Sequence, residues 1–294
     1  MSSSKTFSFK KNTRKAFTLI ELSIVLIIIG LLIVAITSGS SLIRNAKLRS
    51  ITNEAKQYQV AVNSFYMKFD EYPGDFNQQL PAVSSITAAA GAKEDIAIGH
   101  NNDIIEWVSH NGTSPVNEGS NAWLQLVASA ILPSDITSNM DVSKMLDVVD
   151  ITLVPTTHFP TSAENAAGWI FNSDTQNGIT TNYVQLVKSF NSQFASGASS
   201  SFSRPLIDAV KGGGALTPAD AFSIDNKNDD GLRNSGDVRE VFAMAINADG
   251  SSTGSSNSAD GDCDASITTT VSGQYDLDNG TENICSLAFK VTIN

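Results

Sequence analysis

Twenty consecutive residues, Phe17 to Ile36, read FTLIELSIVLIIIGLLIVAI, with a single charge at Glu21. As a helix rising 1.5 Å per residue this run is about 30 Å long, enough to cross the hydrocarbon core of a bilayer. The pattern then changes. Ile51, Ala55, Tyr58, Val62, Phe65 and Phe69 recur at spacings of 4, 3, 4, 3 and 4, which places them on one helical face. Polar residues, among them Asn53, Glu54, Lys56, Gln57, Asn63 and Lys68, fill the gaps. Tyr72-Pro73-Gly74-Asp75 should end the helix, because the residue before proline is pushed out of the α region and glycine suits a sharp exit. A helix from Phe17 to about Glu71 would be about 80 Å long. Its apolar stripe is expected to be core beneath a covering sheet rather than a ligand groove.

Residues 73–294 mix shorter signals. Asn121 is placed to cap a helix through Ala122, Trp123, Leu124, Leu126, Val127, Ile131 and Leu132 that Pro133 ends. Thr217-Pro218-Ala219-Asp220 combines a capping threonine, proline at the first helical position and an acid in the first turn. Strands are expected at Val148–Val154, Trp169–Phe171, Tyr183–Val187, Val238–Ile246 and Ser286–Ile293, where β-branched or aromatic residues lie between turn formers. Ser192–Ser203 and Asn247–Asp262, rich in Ser, Gly and Asn, read as exposed loops. A long helix followed by several strands implies an α+β fold.

Charge divides the chain. Over 294 residues the formal net charge is -11, and an acidic surface argues against nucleic acid as the main partner. Residues 1–16, however, carry Lys5, Lys10, Lys11, Arg14 and Lys15 with no acid, and removing them leaves 14 basic and 30 acidic residues, or -16. A basic flank before an apolar span sets the N-terminus on the cytoplasmic side and the remainder outside. A secretory signal fits poorly, since the apolar run is longer than a typical h-region and no Ala-x-Ala site follows it. A plain uncleaved anchor leaves Glu21 unexplained. A carboxylate within such a span costs about 2.5 to 3.5 kcal/mol on insertion scales and usually marks a function or partner. Were the chain cut between Ala16 and Phe17, the new α-ammonium of one subunit could neutralise Glu21 of its neighbour.

Lys15-Ala16-Phe17-Thr18-Leu19-Ile20-Glu21-Leu22 resembles the processing and methylation site of type IV pilins and type II secretion pseudopilins. The resemblance covers about 60 residues, in the order basic leader, Phe, Glu at mature position five and long apolar helix. It implies a pilin-like fold, with the long helix packed on an antiparallel sheet and large loop insertions. It divides the chain into a cleaved leader (1–16), a transmembrane and assembly helix (17–37), its amphipathic continuation (38–72) and an exported globular domain (73–294). It further implies cleavage between Ala16 and Phe17 by a prepilin peptidase, N-methylation of Phe17, and assembly through Phe17 and Glu21. The implied partners are other pilin or pseudopilin subunits, that peptidase, and an inner-membrane platform with its ATPase. Localisation would run from the inner membrane, domain outward, to a filament. Ala16 departs from the Gly usual in the family before the cut. The Tyr-Pro-Gly-Asp ending also resembles pseudopilin-like members.

With both cysteines outside the cytoplasm, a Cys263–Cys285 disulfide is the favoured state, comparable to the C-terminal disulfide loop of many pilins. No cofactor is required by this reading, but calcium enters as a candidate. Counted from Asn226, Asn228 and Asp230 fall at positions 3 and 5, Gly231 at 6 and Asp237 at 12, an approximate calcium-loop pattern of hard oxygen ligands around a glycine turn. Asn in place of Asp at the first position and Asp in place of Glu at the twelfth weaken it. Related pseudopilins carry an Asp-x-Lys-x-Asp-Asp-Gly loop after a short helix, and some use calcium to order a C-terminal loop. Asp276-Leu277-Asp278-Asn279-Gly280 is a weaker second candidate. The three histidines, His100, His110 and His158, lack metal-ligand spacing. Gly250-Ser251-Ser252-Thr253-Gly254 matches G-x-S-x-G, but in a Ser/Gly tract without the strand-turn-helix elbow that gives the pattern meaning, so no enzyme is expected. From a different class, the alternative is a membrane-anchored periplasmic adhesion or binding module that does not polymerise.

Overall fold

A computed structural model describes residues 18–77, 80, 101–105, 109–111, 114–116, 118–137, 140, 152–153, 155, 159–163, 167–176, 179–188, 190–191, 215–240, 263, 273–275, 277, 285–291 and 293. Helix α1 runs unbroken from Leu19 to Phe69. It is followed by β1 (Ser109–Asn111), β2 (Ser114–Val116), α2 (Glu118–Ala128), a 3-10 turn at Ser134–Thr137, β3 (Thr152–Leu153), β4 (Gly168–Gln176), β5 (Ile179–Val187), β6 (Phe190–Asn191), α3 (Pro218–Asn228), β7 (Val238–Glu240) and β8 (Leu287–Lys290). A long helix with a small antiparallel sheet makes the protein α+β. It divides into two compact units, Met1–Ala46 and Lys47–Asn294.

In the first unit, the described residues are Thr18 and the part of α1 up to Ala46. Apolar side chains from Leu19 to Ile36 project outward along this part. The segment is long and apolar enough to cross a membrane by length and composition.

In the second unit, the rest of α1 buries the face that the spacing picks out. Ile51, Ala55, Val62 and Phe65 are fully buried, Tyr58 nearly so and Phe69 partly. The covering layer is a four-stranded sheet in the order β4-β5-β8-β7. β4 and β5 pair antiparallel from Gly168↔Val187 to Gln176↔Ile179. β8 lies between β5 and β7, antiparallel to both. Two smaller pairs, β1 with β2 and β3 with β6, stand apart from this sheet. Trp123 of α2 joins the layers, its ring centroid 4.8 Å from Tyr58 and 4.4 Å from Phe171. Fully burying each such side chain contributes about 1.5 to 3 kcal/mol.

Polar groups fix the register of helix on sheet. The Glu54 carboxylate accepts from Trp169 Nε1 and Ser162 Oγ at 2.7 Å and from Ala163 N at 3.0 Å. Gln59 Nε2 donates to the Lys290 carbonyl at 2.6 Å. At the end of α1, Asp70 turns left-handed (φ 60°). Gln125 of α2 then holds the exit, accepting from Gly74 N at 2.6 Å and donating to Phe76 O at 3.0 Å. Gly74 has φ 95°, and a Cβ there would lie 2.3 Å from the Glu118 carbonyl oxygen, so glycine is required.

Several expected elements shift. The second helix starts at Glu118, so Asn121 lies inside it and is buried rather than capping. It stops at Ala128, five residues before Pro133. There Ala130 turns left-handed (φ 60°) and the N–H groups of Ile131 and Leu132 close on the Leu126 carbonyl. Only Thr152–Leu153 of the first expected strand is described as strand, paired with β6. β7 is described over Val238–Glu240, and residues 241–246 of that expectation lie outside the described residues. β4 and β5 are longer than their apolar cores, each gaining polar residues toward the connection between them.

Candidate functional site

Two regions carry the residues singled out in the sequence. The first is the start of α1. Ala16 and Phe17 lie outside the described residues. Thr18 precedes the helix, and both its backbone N and its Oγ1 donate to Glu21 Oε2 at 2.8 Å. In return Glu21 N donates to Thr18 Oγ1 at 3.3 Å. This is a reciprocal capping box, in which a threonine and an acid three residues on satisfy the free N–H groups at a helix start. The Thr-x-x-Glu pattern was open to view in Thr18-Leu19-Ile20-Glu21, but attention to the charge alone passes over it. Glu21 is thus tied to its own chain through one oxygen, while its side chain remains exposed on the helix.

The second region is the turn from α3 into β7. Thr217 caps α3 as its sequence indicates, with Oγ1 accepting from Asp220 N at 3.2 Å. The last turn of the helix holds Asn226 and Asn228, the latter donating to the Ile224 carbonyl. The first two positions of the counted calcium loop are therefore helical. Asp237 lies with its Oδ1 3.4 Å from Lys290 Nζ. Of the four counted residues only Asp230 joins a carboxylate cluster, formed instead with Asp225 and Asp229, whose ligand oxygens lie within 4.8 Å of one another.

Each of these carboxylates accepts hydrogen bonds that shape the turn. Asp225, fully buried, takes Gly231 N at 3.3 Å and Tyr275 Oη at 2.8 Å. Asp229 takes the N–H groups of Asp237 and Val238. Asp230 takes Leu232 N at 2.8 Å and Ser235 Oγ at 2.6 Å. Burial pushes the Asp225 carboxyl up to about 6, the bonds from Tyr275 and Gly231 oppose this, and the charges of Asp230 and Asp229 add to it. Burial and the Asp225 charge also push the Tyr275 phenol up. Beneath the turn, Arg233 and Glu240 form a buried ion pair at 3.4 Å.

The two cysteines are joined: Cys263 is disulfide-bonded to Cys285, with Cα atoms 5.3 Å apart. Cys285 also exchanges backbone hydrogen bonds with Leu216 just before α3, so the bond ties residue 263 to the base of this turn. Leu277 of the second acidic candidate is described, whereas Asp276, Asp278, Asn279 and Gly280 lie outside the described residues, as do the G-x-S-x-G tract, His100 and His158.

Compared with known proteins, residues 11–37 match the family model described as the prokaryotic N-terminal methylation motif, the hallmark of the prepilin-type segment of type IV pilins and pseudopilins. That family is structural rather than enzymatic. No curated protein and no solved structure matches the chain.

Proposed function

We propose that this chain is a prepilin, the precursor of a structural subunit in the filament class shared by type IV pili and type II secretion pseudopili. The observation that carries the reading is the apolar start of α1, capped by Thr18 and Glu21 inside the methylation motif. On this reading residues 1–16 are a leader cut from Phe17 on the cytoplasmic face. The span then anchors the subunit with its domain outside until a platform and its ATPase extract it. Polymerisation buries the apolar helices against each other. The Glu21 oxygen not bonded to Thr18 receives the Phe17 ammonium of a neighbouring subunit, which offsets the cost of a carboxylate in an apolar surrounding. The same bond fixes the axial register. Because Thr18 keeps the carboxylate at the helix start, the acceptor is oriented before a partner arrives.

Mass spectrometry of the mature N-terminus tests this directly: N-methyl-Phe17 is expected, and a chain retaining Met1 would overturn it. Replacing Glu21 by Ala should leave membrane insertion intact and block filament incorporation, and normal assembly of that variant would remove the role given to Glu21.

Calcium, if bound, would be held by Asp225, Asp229 and Asp230, three hard oxygen donors whose mutual repulsion a divalent cation relieves. Its part would be structural, stiffening the turn into β7. Millimolar calcium should then raise the melting temperature, and should fail to do so in Asp229→Asn; an unchanged melting temperature in the unaltered chain would remove the idea.

A further inference from the structure

The outward face of α1 in the second unit has a composition unlike the rest of the domain. Arg49, Asn53, Lys56, Val60, Ser64 and Met67 are all exposed and fall within about 80° of one another around the helix. They form a strip about 27 Å long. Val60 is 63% and Met67 85% exposed, and neither Arg49 nor Lys56 makes an ion pair among the described residues. The one acid of this stretch, Glu54, is turned inward to Trp169 and Ser162. Residues 37–69 carry five basic side chains against that single acid, whereas residues 70–294 carry 9 basic against 28 acidic, a balance of -19.

Such an asymmetry within one chain makes copies complementary to each other. Arg49 and Met67 of this cationic strip are of residue types enriched at protein interfaces, and opposite potentials steer two surfaces together and fix their register. The densest negative charge among the described residues lies in the turn after α3. There Asp225, Asp229 and Asp230 crowd within 4.8 Å and Asp230 and Asp237 are exposed. Asp237 is partly offset by Lys290 at 3.4 Å, and Lys227 is the exposed cation of the turn.

We infer that the strip Arg49–Lys56–Val60–Met67 docks the acidic turn 229–237 of a second copy of this chain. Strip and turn are different surfaces, so the contact is heterologous, and repeated contacts of that kind generate a helical array rather than a closed dimer. The inference deepens the filament reading by naming a second subunit contact, separate from the apolar span and sensitive to salt.

Cysteine cross-linking on the full chain in membranes tests it, since the native cysteines are already bonded to each other. Copies carrying Lys56→Cys mixed with copies carrying Asp230→Cys should form an oxidised dimer. Its yield should fall at least about fivefold between roughly 0.05 and 0.5 M sodium chloride, as screening shortens the reach of the charges. Reversing Arg49 and Lys56 to Glu in a copy that carries Asn53→Cys, about one helical turn from Lys56, should abolish the cross-link that Asn53→Cys otherwise forms to Asp230→Cys. Pairing the same reversed copy with one carrying Asp237→Lys as well as Asp230→Cys should restore it. The contact is overturned if no dimer forms, or if Asp103→Cys, placed on the exposed loop at residues 101–103, cross-links to Lys56→Cys equally well. Binding of the strip to phosphatidylglycerol vesicles, lost on the same reversal and with no cross-link between copies, would also overturn it in favour of a lipid surface. Failure of the filament reading looks different: Phe17 would remain unmethylated whatever the cross-linking shows.

Discussion

Glu54 shows how much one side chain settles. A carboxylate on the polar side of an amphipathic helix reads as a solvated charge, yet here it faces the domain and gathers Ser162, Ala163 and Trp169. Replacing it by Ala strands the Trp169 indole N–H, and the loss of charge-assisted bonds should lower stability by about 2 to 3 kcal/mol. Gln, which keeps one acceptor, should cost less; chemical unfolding of the two variants in detergent checks the order. Asp75 is a second inward-facing carboxylate, and this one is buried. Its carboxylate accepts from Asn102 N at 3.1 Å and Asp103 N at 2.6 Å, but burial outweighs those bonds and pushes it up from the ordinary value. An acid that binds its proton more tightly when folded costs stability while ionised, and that cost disappears as pH falls through its folded value toward the ordinary carboxylate range. Relative to Asp75→Asn, the unaltered protein should therefore gain melting temperature on acidification from about pH 7 toward 4. A flat difference between the two would contradict the shift.

Among the elements, periodicity made α1 legible because a helix that buries one face must repeat its apolar residues at that spacing. Ile51 to Phe65 accordingly form the floor of the core. The Tyr-Pro-Gly-Asp exit was equally legible, and its glycine does what the turn demands: Gly74→Ala combines a left-handed φ with a collision against the Glu118 carbonyl. That change should cost about 2 kcal/mol or more, measurable as a lowered denaturation midpoint. Helix α2 was less legible. Its capping signal at Asn121 competes with three preceding residues that are themselves buried, and tertiary packing overrides a local cap. The acidic turn misled in another way. Alternating Asn and Asp suggest a loop, but capping by Thr217 and Pro218 carries α3 on to Asn228, which moves the carboxylates that meet to Asp225, Asp229 and Asp230. Sequence spacing alone does not reveal where a helix yields to a turn.

At the scale of the whole molecule, one covalent bond closes the C-terminal part. Cys263 and Cys285 are 22 residues apart in sequence, and a loop of that size is worth about 3 kcal/mol in the chain-entropy model. Reduction should lower the melting temperature without removing the helical circular dichroism of α1, which holds 51 of the described helical residues.

The place of β8 has a further consequence, for the order in which the protein is made. This strand lies between β5 and β7 but follows both in the chain, so the sheet lacks its middle until residues 287–290 are available. Synthesised from its N-terminal end, the chain delivers α1 before the sheet, and β5 and β7 before the strand that lies between them. Until then the backbone edges of β5 and β7 and the underside of the helix lack their cover. Pairing across about a hundred residues is slow to form because the intervening loop must first be closed. The second unit thus has an interval between synthesis and closure in which it is vulnerable to proteases and to wrong pairings. On the filament reading proposed above, joining a subunit array before that interval ends would present a neighbour with an unfinished surface, so completion of β8 would set the earliest moment for assembly.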